Sequence, residues 1–485
     1  MMNRAYQIPV YSYQPKHVAK RHDDGSRLWF PNKKKIKWMI VHIIIGVFFG
    51  YNSIYFKAWG VGVVMLGAYR IMATKNRTGA AHYFAGYLLG LELVLRMTNT
   101  AIIWEFGKYS IAFLFALALF VEKRPMSYSR IFAPYVFLLI PGVILTDPGV
   151  TNDPWREMVS SSLSGALVLT VSAAYFYKRT LSIENVLNMS FLALMPFVSC
   201  LVYLTRNFMG LSEVTFKQTS NFELTAGFGP NQVSTALGFA VCLIFINKLN
   251  RRNIMAHGLI DWGLAAGFLV FALLSFSRGG VISAVISCAF GLFISLMGAR
   301  EKKDFHRNFY LMVICTIGGY QLIQYLNTYT EGALEERYQV VMDRETLGEK
   351  GEKHAFTGRE QILRIDFQIF KDHPVFGVGA GMGKWKRREY GFGRKVAAHT
   401  EFSRLLAEHG VFGMAVLVLW IMIPFFHFRK LKNKENRALF TICMSYAFLT
   451  MSHSAIRIAI PAVLYGMAFI DLHGGAPPFL KKRVR

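Results

Sequence analysis

Charged residues are scarce in this chain. Asp, Glu, Lys and Arg make up 17% of its 485 residues, against 53% hydrophobic and 15% aromatic, a balance that excludes a soluble globular domain. Short strands of alternating polarity are missing too, which excludes an outer-membrane barrel. The five cysteines (Cys200, Cys242, Cys288, Cys315 and Cys443) sit inside apolar runs at unrelated spacings, so they indicate neither a disulfide framework nor a metal site. HExxH, CxxC, Asp-rich metal motifs, GxSxG and Walker A sequences are absent. Gly377-x-Gly-x-Gly-x-Gly383 lacks the GxGxxG spacing and a flanking βαβ unit, so it is no dinucleotide fingerprint. A cleavable leader pattern is not seen: the polar, aromatic stretch 1–32 and then Lys33-Lys-Lys35 and Lys37 predict a cytoplasmic flank before a retained span.

What recurs along the whole length is apolar runs of about 17–22 residues, long enough to cross a bilayer core as helix. Spans are expected over residues 36–54, 58–73, 80–95, 100–121, 131–145, 159–177, 187–204, 232–246, 259–276, 280–297, 309–326, 402–425, 438–451 and 456–470, about fourteen in all. The predicted fold is an all-α polytopic membrane protein with a large periplasmic loop that contains short helices. Its divisions are a cytoplasmic tail (1–35), spans one to eleven (36–326), a periplasmic catalytic loop (327–401), spans twelve to fourteen (402–470) and a basic cytoplasmic tail (471–485).

The formal charge of +26 would suggest nucleic acid in a soluble protein. Here much of it sits in short clusters between apolar runs: Lys75/Arg77, Lys123/Arg124, Lys178/Arg179, Lys248/Arg251/Arg252, Arg300/Lys302/Lys303, Arg429/Lys430/Lys432 and the tail Lys481-Lys-Arg-Val-Arg485. That is the positive-inside pattern, and it points to a lipid bilayer and not to nucleic acid as partner. Both termini are then expected in the cytoplasm. The connections around 147–157, 206–231, 277–278 and 327–398 face outward.

Polar residues gather in that outer half. Glu92 and Arg96 are four apart on one helix face and can pair, and Glu105 and Lys108 open the next run. Asn152-Asp-Pro-Trp-Arg156 precedes the small-residue run Ser160-Ser-Ser-Leu-Ser-Gly165. Gly227, Gly229 and Pro230 force a turn, and Asn231 can cap the helix that follows. Ser275-Phe-Ser-Arg-Gly-Gly280 joins two spans so tightly that Arg278 is held at the outer surface. Thr357-Gly-Arg359 starts an amphipathic stretch that ends at His373-Pro374, and the glycine-spaced segment then leads to His399. Arginine grips phosphate oxygens with paired hydrogen bonds at any working pH. Histidine can take a proton from a sugar hydroxyl. Arginines and a histidine on one side of the membrane fit a pyrophosphate-bearing substrate and an acceptor alcohol, although an arginine beside a span also serves as a headgroup anchor. His354, His373, His409 and His453 share that side.

Taken in order, Ser164-Gly165-Ala-Leu167, Gly227-Phe-Gly-Pro-Asn-Gln-Val-Ser234, Ser277-Arg-Gly-Gly280, Thr357-Gly-Arg359 with Pro374-Val-Phe-Gly-Val-Gly379, and His399-Thr-Glu-Phe…Leu405-Leu-Ala-Glu-His-Gly410 resemble the O-antigen ligase and Wzy-type polymerase superfamily. The resemblance runs from about residue 147 to 413. It implies a metal-independent, cofactor-free glycosyltransferase of the bacterial inner membrane, with its site at the periplasmic face and a glycan on undecaprenyl pyrophosphate as donor. By motif, Arg278 holds the pyrophosphate and His399 activates the acceptor hydroxyl. Arg206, Arg156 and Arg359 are further pyrophosphate candidates by position, and Asn231, Glu401 and Glu408 are supporting ones. His399-Thr400 stands where ligases usually show His-Asn, and the span number exceeds the ligases' usual twelve or so. Both departures favour a polymerase of surface polysaccharide repeat units, with a chain-length regulator as a possible partner. Ligation to lipid A-core, transfer to a protein side chain and, more distantly, transport remain the alternatives.

Overall fold

The computed structural model describes residues 31–48, 53–125, 129–147, 149, 153–211, 216, 220–299, 301–339, 358–393 and 395–473. Expectations placed on residues 1–30 and 474–485, and on Asn152, Arg300, His354 and Thr357, lie outside the described residues.

An apolar chain that leaves water must satisfy its own backbone, and helix does so within each segment. The chain accordingly begins with α1 (Asn32–Val47), α2 (Ser53–Thr74), α3 (Ala80–Met97) and α4 (Phe106–Glu122). The stretch 131–145, expected as one span, is instead a 3-10 turn at Arg130–Phe132 followed by α5 (Pro134–Phe137) and α6 (Ile140–Ile144). Pro134 and Pro141 each open a new piece because neither has the N–H a continuing helix needs. Next come α7 (Trp155–Phe176), α8 (Ile183–Met209), α9 (Pro230–Leu249), α10 (Gly258–Leu274), α11 (Arg278–Met297) and α12 (Lys302–Tyr329). The long polar interruption holds α13 (Ala333–Gln339), α14 (Gly358–Asp372) and α15 (Gly383–Lys386). Then α16 (Glu401–Lys430), α17 (Lys434–His453) and α18 (Ile460–Met467) complete the helices.

Among the described residues six helices are long and apolar enough to cross a membrane: α7, α8, α9, α11, α12 and α16. That is fewer than the fourteen runs expected. The reason is partly length: α4 and α10 have 17 residues each and α18 has eight, where a bilayer core asks for about 20.

Connections at one end of the bundle are tied together. Asn221 N donates to Ser275 O at 3.0 Å, Asn207 Nδ2 to Glu223 O at 2.8 Å, and Lys384 pairs with Asp153 at 2.5 Å. The opposite end carries several of the basic connections. There Arg179 pairs with Glu122 at 2.7 Å, Arg252 with Glu184 at 2.7 Å and Lys434 with Asp304 at 2.8 Å. A two-stranded parallel pairing of β1 (Thr180–Ser182) with β2 (Asp471–His473) closes that end. Between the ends, α9 and α11 meet at glycines. A side chain at Gly238 would lie 2.7 Å from Gly280 O, so the two backbones approach as only glycine permits.

Candidate functional site

This close approach fixes the first turn of α11. Ser234 Oγ donates to Ser277 O at 2.8 Å, and Ser277 Oγ donates to Asn231 Oδ1 at 2.6 Å. Arg278 follows directly and donates to Arg337 O at 2.9 Å. Asn231 Oδ1 also accepts from Arg359 Nη2 at 3.1 Å. Thus one amide oxygen at the start of α9 locates the N-termini of both α11 and α14. Desolvation first and the Arg278 charge second push the Arg359 guanidinium below its usual value, so two cations stand within reach of each other.

His399 lies on the segment before α16, whose Thr400 caps that helix by accepting from the backbone N–H groups of Phe402 and Ser403. Its ring is half-buried. Burial, then the charges of Arg457, Arg359 and Arg387 and the facing His453, push it down to about 3. Its Nδ1 has no hydrogen-bond partner among the described residues. At neutral pH this is an uncharged imidazole with a lone pair to offer. Arg359 is within electrostatic reach of both His399 and Arg278 and so links the two.

Arg457 was not singled out from the sequence. It projects from the 454–459 loop and donates to Ala397 O at 3.2 Å and Ala398 O at 3.0 Å, directly before His399. Its signal in the sequence was a charged residue inside the apolar run 456–470. The loop itself is held by buried charge. Lys108 donates to Ile456 O at 3.0 Å, Ala459 N donates to Glu92 Oε2 at 2.8 Å and Ile456 N donates to Glu401 Oε2 at 3.2 Å. Arg96 pairs with Glu92 at 2.9 Å and Lys108 with Glu105 at 2.5 Å. The Glu92–Arg96 and Glu105–Lys108 pairs thus form one buried network.

Glu401 and Glu408 clamp Arg404, which pairs with Glu408 at 2.8 Å and donates to Ser162 Oγ at 2.6 Å. The i, i+3 and i, i+4 spacing of Glu401, Arg404 and Glu408 was the available signal for this arginine. Behind Ala397 and Ala398 lies a cavity of about 260 Å³ bordered by six cations: Arg96, Lys108, Lys384, Arg387, Arg404 and Arg457. Three carboxylates, Glu105, Glu401 and Glu408, also line it.

The glycine-spaced segment has a structural role. Gly377, Gly379 and Gly381 all take positive φ, and Val378 N and Gly379 N donate to Ala407 O and Glu408 O at 3.0 and 3.1 Å. α16 breaks there at Gly410 (φ 57, ψ −136), and Val411 N donates to Pro374 O at 2.8 Å. Hence the segment replaces helix bonds that α16 gives up. Arg206 donates to Val47 O and stacks over Tyr203 at 5.3 Å, on the α1–α8 side, while Arg156 is exposed on the first turn of α7. Among the described residues no group of three or more His, Cys, Asp or Glu side chains is arranged to hold a metal ion.

The fold and the site define a helical membrane protein with a cation-rich, histidine-bearing site built from helix ends and a long connecting loop. Residues 263–418 match the family model described as O-antigen ligase, which supports the O-antigen ligase and Wzy-type superfamily. The family points to ligase- or polymerase-type activity on lipid-linked glycans in a membrane. The chain matches no curated protein. The matched stretch includes Arg278, Arg359, His399, Glu401 and Glu408, whereas Arg156, Arg206, Asn231 and Arg457 lie outside it.

Proposed function

We propose that this chain polymerises glycan repeat units carried on undecaprenyl pyrophosphate, at the periplasmic face of a bacterial inner membrane. The observation that carries the reading is the rim where Arg278 and Arg359 flank Asn231 and an uncharged His399 stands beside them. Arg278 and Arg359 hold the pyrophosphate of the growing chain. A hydroxyl of an incoming lipid-linked unit gives its proton to the His399 imidazole and its oxygen attacks the anomeric carbon. The new C–O glycosidic bond forms as the anomeric C–O bond to phosphate breaks. Undecaprenyl pyrophosphate leaves with the electron pair, its growing charge met by the two guanidinium groups. A free-enzyme value near 3 makes His399 a weak base. The bound pyrophosphate supplies negative charge that offsets the surrounding cations and raises that value, so the base strengthens when substrate is present.

The test is incubation of the purified full chain with the lipid-linked repeat alone. A ladder of lengthening products supports the proposal, and His399→Ala and Arg278→Ala should remove the ladder while the protein remains folded. Product that forms only after lipid A-core is added replaces polymerisation with ligation. The family description makes that the second reading. The same departing group and the same base serve both, so only the acceptor distinguishes them.

A further inference from the structure

The cavity behind Ala397 and Ala398 is not needed by that chemistry, yet it is built to bind something. Arg96 and Arg387 both border it, and both side chains are 1% exposed. Each is held by a carboxylate outside the cavity, Glu92 on Arg96 at 2.9 Å and Asp366 on Arg387 at 2.6 Å; Arg96 Nη2 also lies 3.5 Å from Glu105, which borders the cavity, and Arg387 Nη1 donates to Val396 O at 2.9 Å. Each then has N–H groups left over. Arg96 Nε and Nη1 and Arg387 Nη2 are buried without a hydrogen-bond partner among the described residues. Buried donors of a guanidinium are costly to leave unpaired, and their planar fork matches a carboxylate or a phosphate. Trp104, against which Arg96 stacks at 4.8 Å, adds an apolar wall, and Ser161 and Gln232 add groups suited to hydroxyls. The volume of about 260 Å³ falls just short of the range for drug-sized ligands, which suits one sugar ring. Arg457 borders the cavity and also bonds the two residues before His399, so the cavity adjoins the segment that carries the proton acceptor.

We infer that this cavity is a sugar subsite selective for a saccharide that carries a carboxylate, a hexuronate-type residue of the acceptor unit. This rests on the glycan-transfer reading for its place in the reaction. The binding itself does not. Its leftover N–H groups receive the carboxylate oxygens, Trp104 receives the ring face, and a free hydroxyl of the same unit is presented toward His399. Neutral sugars leave the arginine donors unpaired and bind more weakly.

The probe is free hexuronate against the matching neutral hexose, followed by saturation-transfer NMR and Trp fluorescence on the detergent-solubilised full chain. The expected result is hexuronate binding at least about tenfold tighter than hexose, the discrimination that charge-assisted hydrogen bonds provide. Arg96→Lys, which keeps the pair with Glu92 but removes the spare donors, and Ser161→Phe, which fills the space, should each abolish that preference. Arg278→Ala should leave it intact. Equal binding of the two sugars, no binding of either, or a preference unmoved by both cavity variants overturns the assignment. Inorganic phosphate that displaces hexuronate and binds as tightly overturns the sugar assignment in favour of a general anion site. A ladder that fails to form while hexuronate preference persists defeats the polymerase reading and leaves the subsite standing. A ladder grown equally well by wild type and Arg96→Lys on an acidic repeat defeats the subsite and leaves the polymerase.

Discussion

The backbone N–H of Ala459 donates to Glu92 Oε2 at 2.8 Å across 367 residues of chain. Glu92 belongs to α3, outside the stretch matched by the family model, and Ala459 ends the loop that presents Arg457. The early helices therefore act on the site by holding up a loop from the far end of the chain.

Because Glu92 also carries the charge of Arg96, removing it leaves a buried guanidinium with only the longer contact to Glu105, at 3.5 Å. Glu92→Ala should cost about 3–5 kcal/mol, the usual penalty for breaking a buried ion pair. Glu92→Gln keeps an acceptor for Ala459 N and should cost less. Thermal unfolding of the full chain in detergent reads both, and equal midpoints for wild type and Glu92→Ala would remove the network from the account of stability.

The break in α16 gives a second prediction. A Cβ at Gly410 would lie 2.5 Å from Pro374 O, on a backbone with positive φ. Gly410→Ala should therefore destabilise the chain by about 2–5 kcal/mol through backbone strain and overpacking together. Gly393→Ala, where nothing lies within 4 Å of the added atom, is the control and should change little. If both variants melt alike, the crossing of the glycine segment against α16 is wrong.

Hydropathy reads the length of an apolar run well and position around a bundle hardly at all. That is why the apolar runs were legible as helices, while the bonds that tie Arg359 to Asn231 and Arg278 to Arg337 were not. Arg206 bonds Val47 O at the end of α1. Arg457 escaped notice because what fixes it is Glu92, Lys108 and Glu401, residues hundreds of positions or a whole helix away. The stretch 131–145 read as a span because its apolar side chains outweighed Pro134 and Pro141, although backbone donors and not side chains decide continuity. Thr400 has a local role that the sequence did not single out: it caps α16 by accepting from the N–H groups of Phe402 and Ser403.

For His399 the pH dependence follows from its neighbours. Burial and the charges of Arg457, Arg359 and Arg387 hold it near 3, so kcat/KM, which reports the free enzyme, should stay flat from about pH 5 to about 8. Bound pyrophosphate favours the protonated ring, so the acid limb of kcat should lie at higher pH than that of kcat/KM. Arg359→Gln removes one repelling cation and should move the kcat/KM limb upward, towards the ordinary histidine range. His399→Ala should lower the rate by about 10²–10⁴-fold, the contribution of a general base. An acid limb that His399→Ala leaves in place would assign the titration to another group.

Asn231 separates binding from chemistry. Its Oδ1 receives Ser277 Oγ at 2.6 Å and Arg359 Nη2 at 3.1 Å, and it touches neither the proposed base nor Arg278 directly in any bond described above. Asn231→Ala frees Arg359 from its support, and a hydrogen bond to a charged group contributes about 1.5–3 kcal/mol. If Arg359 grips the pyrophosphate equally in ground and transition states, the loss falls on KM, which should rise by roughly 10–100-fold while kcat holds. Asn231→Asp keeps both acceptor contacts, adds a charge opposed to Arg359 and should restore the position of that arginine but repel the pyrophosphate, so KM should stay high. A fall in kcat with KM unchanged, in either variant, would place Arg359 in the transition state alone and move it from substrate capture to stabilising the departing group.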